Sequence, residues 1–273
     1  MNVSCLPVSL FPALIDGRMS VGEWAAMAAE IGLDGIDVSV LFFRDHTPRL
    51  LAKVRDDLEQ AGLPVVMVTT YPDFTNPDPV QCEREADYCR RDIALASQLG
   101  ARYLRITAGQ AYPGVSVDDG VRRVVESFKR MAEAGERFGV GLLFENHSKP
   151  GAWDLPDFGY PTEVFLRIAE AIRDTGIGIN FDLANPLSFG DDPLPVLESV
   201  IDQVTTVHAS DIAARGRFYP VLLGEGIVPF DALFGRLKQH GFDGWICIEE
   251  ASRLGADGIK AATEFVRRKW AGM

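Results

Sequence analysis

The feature that most constrains this chain is a repeated joint: an amphipathic stretch, a glycine, and then a short apolar run. It reads Ile31-Gly32-Leu33-Asp34-Gly35-Ile36, Leu99-Gly100-Ala101-Arg102-Tyr103, Phe138-Gly139-Val140-Gly141 and His240-Gly241-Phe242-Asp243-Gly244-Trp245. The last carbonyls of a helix need partners, and glycine takes the left-handed φ that supplies them without a Cβ clash. Gly62 and Gly176 close two further stretches in the same manner. Strands are expected at 2–6, 35–40, 64–69, 103–107, 141–144, 178–181, 204–207 and 244–248. Helices are expected at 20–31, 47–61, 79–99, 118–138, 161–173, 191–200, 229–239 and 257–269. Strands separated by helices pair in parallel. The expected class is therefore α/β, a single closed (β/α)8 barrel over residues 1–273. An open doubly wound sheet is the alternative, but it would be favoured by a Gly-x-Gly-x-x-Gly turn after the first strand, and none stands there.

Charge and cysteine usage narrow the partners. With 39 acidic and 27 basic residues the net charge is −12, and no basic run offsets it, so a nucleic-acid partner is disfavoured. Cys5, Cys82, Cys89 and Cys247 are scattered without a CxxC pair, which suits free thiols in a reducing compartment. The N-terminus lacks a basic segment ahead of an apolar run, and no stretch reaches the ~18 apolar residues of a membrane span. The expected setting is the cytoplasm, without a membrane partner and with a homo-oligomer left open.

In a barrel of this kind chemistry collects where strands end. Strand five runs into Phe144-Glu145-Asn146-His147, strand six into Asn180-Phe181-Asp182, strand seven into Val207-His208-Ala209-Ser210-Asp211, and strand eight into Ile248-Glu249-Glu250. Four successive strands thus bring Glu145, Asp182, His208 and Glu249 to one rim. Three converging carboxylates would repel one another, and a divalent cation resolves the conflict. Three hard oxygens and an imidazole suit Mn²⁺ or Mg²⁺ and admit Co²⁺ or Zn²⁺ without choosing among them; Mn²⁺ is the expected ion.

These strand ends, together with Leu223-Gly224-Glu225-Gly226, resemble the xylose isomerase-like TIM barrels. That group includes sugar phosphate isomerases/epimerases, ketose 3-epimerases, inosose dehydratase and endonuclease IV. The resemblance spans nearly the whole chain. It implies that Glu145, Asp182, His208 and Glu249 hold one metal, and that Glu145 and Glu249 exchange the substrate proton. It also implies a substrate-binding arginine ahead of the Gly-Glu-Gly turn, matched by Arg217 with Arg215 as the alternative. Where the ketose 3-epimerases carry a histidine three residues after the strand-six aspartate, this chain has Asn185, which donates hydrogen bonds but does not titrate. Endonuclease IV relatives use several histidines on three zinc ions. Only four histidines occur here, two of them (His46 and His240) away from the later strand ends.

The chemistry that suits such a rim is proton abstraction beside a carbonyl through an enediolate, with paired glutamates as acid and base. The product is an epimer, an aldose–ketose isomer or, if a β-leaving group departs, an eliminated keto-sugar or keto-glycoside. His147 is placed either as the acid for a leaving group or as a hydrogen-bond partner that fixes Glu145. Arg105, on strand four, is placed to pair with an acidic residue, and Asp211 either holds its loop or orients substrate. Residues 149–160 are long and aromatic for a βα loop and include Trp153. They read as a wall for the apolar face of a sugar, or as a self-packed or oligomer contact. A non-catalytic sugar-binding or partner subunit is the reading from another class.

Overall fold

The computed structural model describes residues 1–148 and 153–272. Its strands are β1 Asn2–Leu6, β2 Ile36–Ser39, β3 Val65–Thr69, β4 Tyr103–Ile106, β5 Gly141–Glu145, β6 Gly178–Asp182, β7 Val204–Ala209 and β8 Trp245–Glu249. The helices are α1 Phe11–Ile15, α2 Val21–Ile31, α3 Pro48–Ala61, α4 Pro79–Gln98, α5 Val117–Phe138, α6 Thr162–Ala171, α7 Asn185–Phe189, α8 Pro193–Val200, α9 Phe230–His240 and α10 Ala256–Ala271. All eight expected strands and all eight expected helices are present within about two residues of their predicted ends. The predicted glycine joints hold as well: Gly32, for example, closes α2 at φ 87° and accepts the turn into β2.

The strands form one parallel sheet in the order β1-β8-β7-β6-β5-β4-β3-β2, and β1 and β2 lie side by side to complete a (β/α)8 barrel. That last seam is bridged by specific bonds: Asp34 N donates to Val3 O at 2.9 Å, and Ser4 Oγ donates to Asp37 Oδ2 at 2.8 Å. Side chains alternate across each strand. One set, including Val38, Val68, Leu104, Phe144, Ile179, Phe181, Val207 and Ile248, packs with the surrounding helices into the main core. The other face carries a separate cluster, including Met67, Leu143, Trp245 and Cys247, with Tyr103 packed against it. In the same alternation as this plug, one step further along their strands, stand Arg105, Glu145 and Glu249. The strands thus deliver apolar residues outward and charged ones inward, toward their C-terminal ends.

Besides the turn Ile201–Gln203 ahead of β7, three short elements were not expected from sequence: the turn Val8–Leu10 running into α1, the turn Val40–Phe42, and α7. Each is too short to establish a hydrophobic period, and α1 and α7 carry a proline in the first turn. All three follow β1, β2 or β6 and so lie on the C-terminal rim.

Candidate functional site

Strand register places the four predicted ligands. Asp182 is opposite His208 across β6–β7, Glu145 is opposite Asn180 across β5–β6, and Glu249 is the last residue of β8. The sequence reading put these carboxylates just past the strands. Instead Glu145, Asp182 and Glu249 are final strand residues and His208 lies within β7, so the rigid ladder itself holds them. One donor atom from each of Glu145, Asp182, His208 and Glu249 falls within 4.8 Å of the others, and all four residues are buried.

Glu145, Asp182 and His208 are each held by neighbours within the fold: His208 by Glu145, Asp182 by two backbone N–H groups and Ser210, and Glu145 by His208 and Arg105. His208 Nδ1 lies 2.8 Å from Glu145 Oε1 and 3.6 Å from Glu249 Oε2. Its Nε2 is buried and finds no hydrogen-bond partner among the described residues. Asp182 Oδ1 accepts the backbone N–H groups of Ala184 and Asn185, each at 2.8 Å, at the turn into α7. Ser210 Oγ donates to the same carboxylate, 2.9 Å from both oxygens. Asn146 continues the β5–β6 pairing with side-chain atoms, donating to Asp182 O at 2.9 Å and accepting from Asp182 N at 2.7 Å.

Arg105 supplies a buried cation. Its Nε stands 2.9 Å from Glu145 Oε2, with both side chains about 1% exposed. The contact is an ion pair rather than an aligned hydrogen bond. Arg105 Nη1 donates to Thr70 O at 3.1 Å, and the guanidinium lies over the Tyr71 ring, 4.7 Å from its centroid. Burial pushes the Glu145 carboxyl up, but the charges of His208 and Arg105 and the His208 hydrogen bond outweigh it and hold the group well below the usual range. Glu145 is therefore an anion in this setting. Beneath the rim, burial pushes Asp37 up to about 6, against the charge of His208 and the bonds from Ser4, Cys247 and Met67.

His147 does not bond to Glu145; that position is taken by His208. Its Nδ1 sits 2.7 Å from Asp157 Oδ2 instead. Burial raises Asp157, and the hydrogen bond and charge of His147 work against that rise. Tyr71 joins the two neighbourhoods, its ring edge-on to His147 at 6.3 Å and to Trp153 at 6.5 Å. Within the expected aromatic wall, residues 149–152 lie outside the described residues, whereas Trp153 is half-buried against Tyr71.

Asn185 is buried beside Asp182; its Oδ1 accepts Ser148 Oγ at 2.7 Å, and its Nδ2 has no hydrogen-bond partner among the described residues. Arg217, by contrast, is exposed on the loop after β7, with its guanidinium 5.4 Å from the Tyr219 ring centroid. Arg215 is also exposed, and its Nη1 contacts Gly190 O at 3.4 Å. Asp211 holds that loop: it accepts the backbone N–H groups of Ile212, Gly224, Gly226 and Val228 at 2.9 to 3.1 Å. A Cβ at position 226 would come within 2.2 Å of Asp211 Oδ1, which explains the second glycine of Gly224-Glu225-Gly226. Glu250 faces away from Glu249 and accepts Ser252 N at 2.8 Å.

The donor set fits a divalent cation. Three carboxylates and one imidazole converge in a buried space, and Arg105 places a buried cation beside Glu145. Sequence reasoning missed Asp37 and Asp157. The alternation Ile36-Asp37-Val38-Ser39 was the available signal for the first; the second needed the fold of its loop.

Residues 25–269 match the family described as xylose isomerase-like TIM barrel. The chain is 26% identical over 242 residues to a putative hydroxypyruvate isomerase of Streptomyces coelicolor, covering 83% of this chain and 84% of that protein. It is 24% identical over 276 residues to the L-ribulose-5-phosphate 3-epimerase UlaE of Escherichia coli K12, covering 97% and 93%. Among solved structures, the probable 3-DHS dehydratase AsbF of Bacillus anthracis superposes with a TM-score of 0.78 at 18% identity, covering 98% and 99%. The IOLI protein with a bound zinc atom superposes with a TM-score of 0.82 at 15% identity, covering 100% and 99%. At these identities the two structures speak for the fold.

Proposed function

Because the chain belongs to the xylose isomerase-like TIM barrels, we propose that it is a divalent-metal-dependent sugar isomerase or epimerase acting by proton abstraction beside a carbonyl. The observation that carries this reading is the convergence of Glu145, Asp182, His208 and Glu249 within 4.8 Å on four consecutive strands. These four would hold the ion, with Mn²⁺ the first choice. When bound, it supplies Lewis acidity for the charge that develops on the substrate's carbonyl oxygen. Glu249 takes or returns the proton on carbon, and Glu145 is its counterpart across the sugar. Asn185, Trp153 and Arg217 are the substrate-binding residues of this reading. The relatives that favour it are the hydroxypyruvate isomerase and the ribulose-phosphate epimerase. Among the described residues no helix is long and apolar enough to cross a membrane. The four unpaired cysteines support a reducing, cytoplasmic setting.

One observation favours a second reading, a lyase that eliminates a β-leaving group from a keto-sugar or keto-glycoside. His147 carries a buried carboxylate, Asp157, on Nδ1. Such pairing fixes the tautomer and steadies a ring that passes a proton to a departing oxygen through its other nitrogen. AsbF, a structural neighbour, is described as a probable dehydratase.

A screen of keto-sugars in D₂O with Mn²⁺-loaded protein separates these readings. The lead reading expects deuterium at the carbon beside the carbonyl in a product of unchanged formula. Loss of water or an alcohol from the substrate would move the assignment to the lyase. Absence of exchange and of elimination across the screen would favour a binding subunit and contradict both enzymatic readings.

A further inference from the structure

A buried carboxylate that the site itself does not use ties the loop after β3 to the loop after β4, and that loop in turn bonds the loop after β5. Asp73, in the loop after β3, is 4% exposed. It accepts hydrogen bonds from Gln110 N at 3.0 Å, Gln110 Nε2 at 2.9 Å, Tyr112 OH at 2.6 Å and Thr75 Oγ1 at 3.0 Å. Bonds to an ionised acceptor are roughly twice as strong as neutral ones, so a carboxylate with this many donors is a fixed point in the loops. The fit is tight: a Cβ on Gly109, which has φ +125°, would lie 2.5 Å from Thr75 Oγ1 and 2.6 Å from Asp73 Oδ1.

Gln110 carries the connection onward. Its Oε1 accepts Leu155 N at 3.2 Å, Ala111 N donates to Pro156 O at 2.8 Å, and Phe158 N donates to Gly109 O at 2.7 Å. Gln110 and Asp157 form an antiparallel bridge. That bridge sets the backbone of the residue whose carboxylate meets His147 Nδ1 at 2.7 Å.

We propose that Asp73 is a positioning residue, acting through Gln110 to hold Asp157 behind His147. The role of His147 toward substrate rests on the readings above; the positioning itself does not. Three features support the assignment. The chain of contacts runs unbroken from residue 73 to 147, it crosses three consecutive βα loops on the rim that carries the metal-competent cluster, and Asp73 accepts both the backbone and the side-chain N–H groups of Gln110, the residue that bridges to the third loop.

The test uses full-length protein with labelled histidine, and Asp157→Ala, which removes the acceptor, serves to assign the Nδ1 proton of His147 by its disappearance. Gln110→Ala and Asp73→Asn are then compared with wild type. Asn at position 73 presents an amide to the Gln110 Nε2 donor, and Gln110→Ala, at a half-buried site, is the variant that decides if Asp73→Asn fails to fold. The expected result is that the His147 Nδ1 resonance broadens away and amide exchange at Leu155 and Phe158 accelerates by ~10-fold or more, while strand amides keep their protection. On any substrate found, kcat should fall further than KM rises. Unchanged His147 resonance and unchanged exchange at 155–158 in the folded variants would overturn the proposal. Because these resonances need no turnover, inactivity toward every sugar would count against the functional reading and leave the positioning intact.

Discussion

Glu249→Gln is expected to keep the fold while losing proton exchange on a keto-sugar by roughly 10²–10⁴-fold, the usual contribution of a positioned general base. The expectation follows from geometry. Glu249 ends β8 with its carboxylate facing the cluster, 3.6 Å from His208 Nδ1. Glu145, its counterpart, carries the Arg105 guanidinium at 2.9 Å. An amide at this position preserves shape and one coordinating oxygen but accepts no proton at neutral pH. Metal content and thermal midpoint measured beside exchange separate a lost base from a lost site. Exchange at the wild-type rate would remove Glu249 from the mechanism.

Arg105→Met should produce the largest stability loss in metal-stripped protein, about 3–5 kcal/mol, because it removes the guanidinium partner of the buried Glu145 charge. For a chain of this size that is a fall in Tm of roughly 10 °C. The sign of the pH dependence follows from the direction of the shift. In wild type the depressed Glu145 contributes stability above its unfolded pKa and loses it as pH falls through the folded value. In the variant one of the charges that lower Glu145 is gone, so its folded pKa moves back up and less of that stability is present above the unfolded pKa. The gap between the two proteins therefore widens from acid to neutral pH. Arg105→Met combined with Glu145→Gln, which removes both charges, should recover much of the loss. Thermal melts across pH after chelation would check this, and a gap that is constant with pH would contradict the ion pair's assigned part.

Much of this architecture is legible in the chain because its signals are local. A glycine after an amphipathic stretch marks the end of a helix wherever the chain turns directly into a strand, and the joints at Gly32, Gly139 and Gly241 did so. The cluster was legible for a related reason: Glu145, Asp182, His208 and Glu249 each follow an apolar run, and polarity there has few structural explanations. The pairing of His147 was not, since Asp157 is ten residues away and reaches it only because the loop bridges to Gln110. Arg105 was read as half of an ion pair, but its partner depended on the β4–β5 register that sets it opposite Leu143. Asp73 gave no signal at all. Its significance lies in donors 37 and 39 residues distant, Gln110 and Tyr112.

The four converging side chains are proposed to bind a metal ion. Quantitative metal analysis of the gently purified protein, beside the Asp182→Ala/His208→Ala variant and after Mn²⁺ reconstitution of both, tests this binding most directly. About one divalent ion per chain is expected in the wild type, and none retained by the variant. A wild-type protein that takes up no ion after reconstitution, or a variant that binds as much as the wild type, would contradict it.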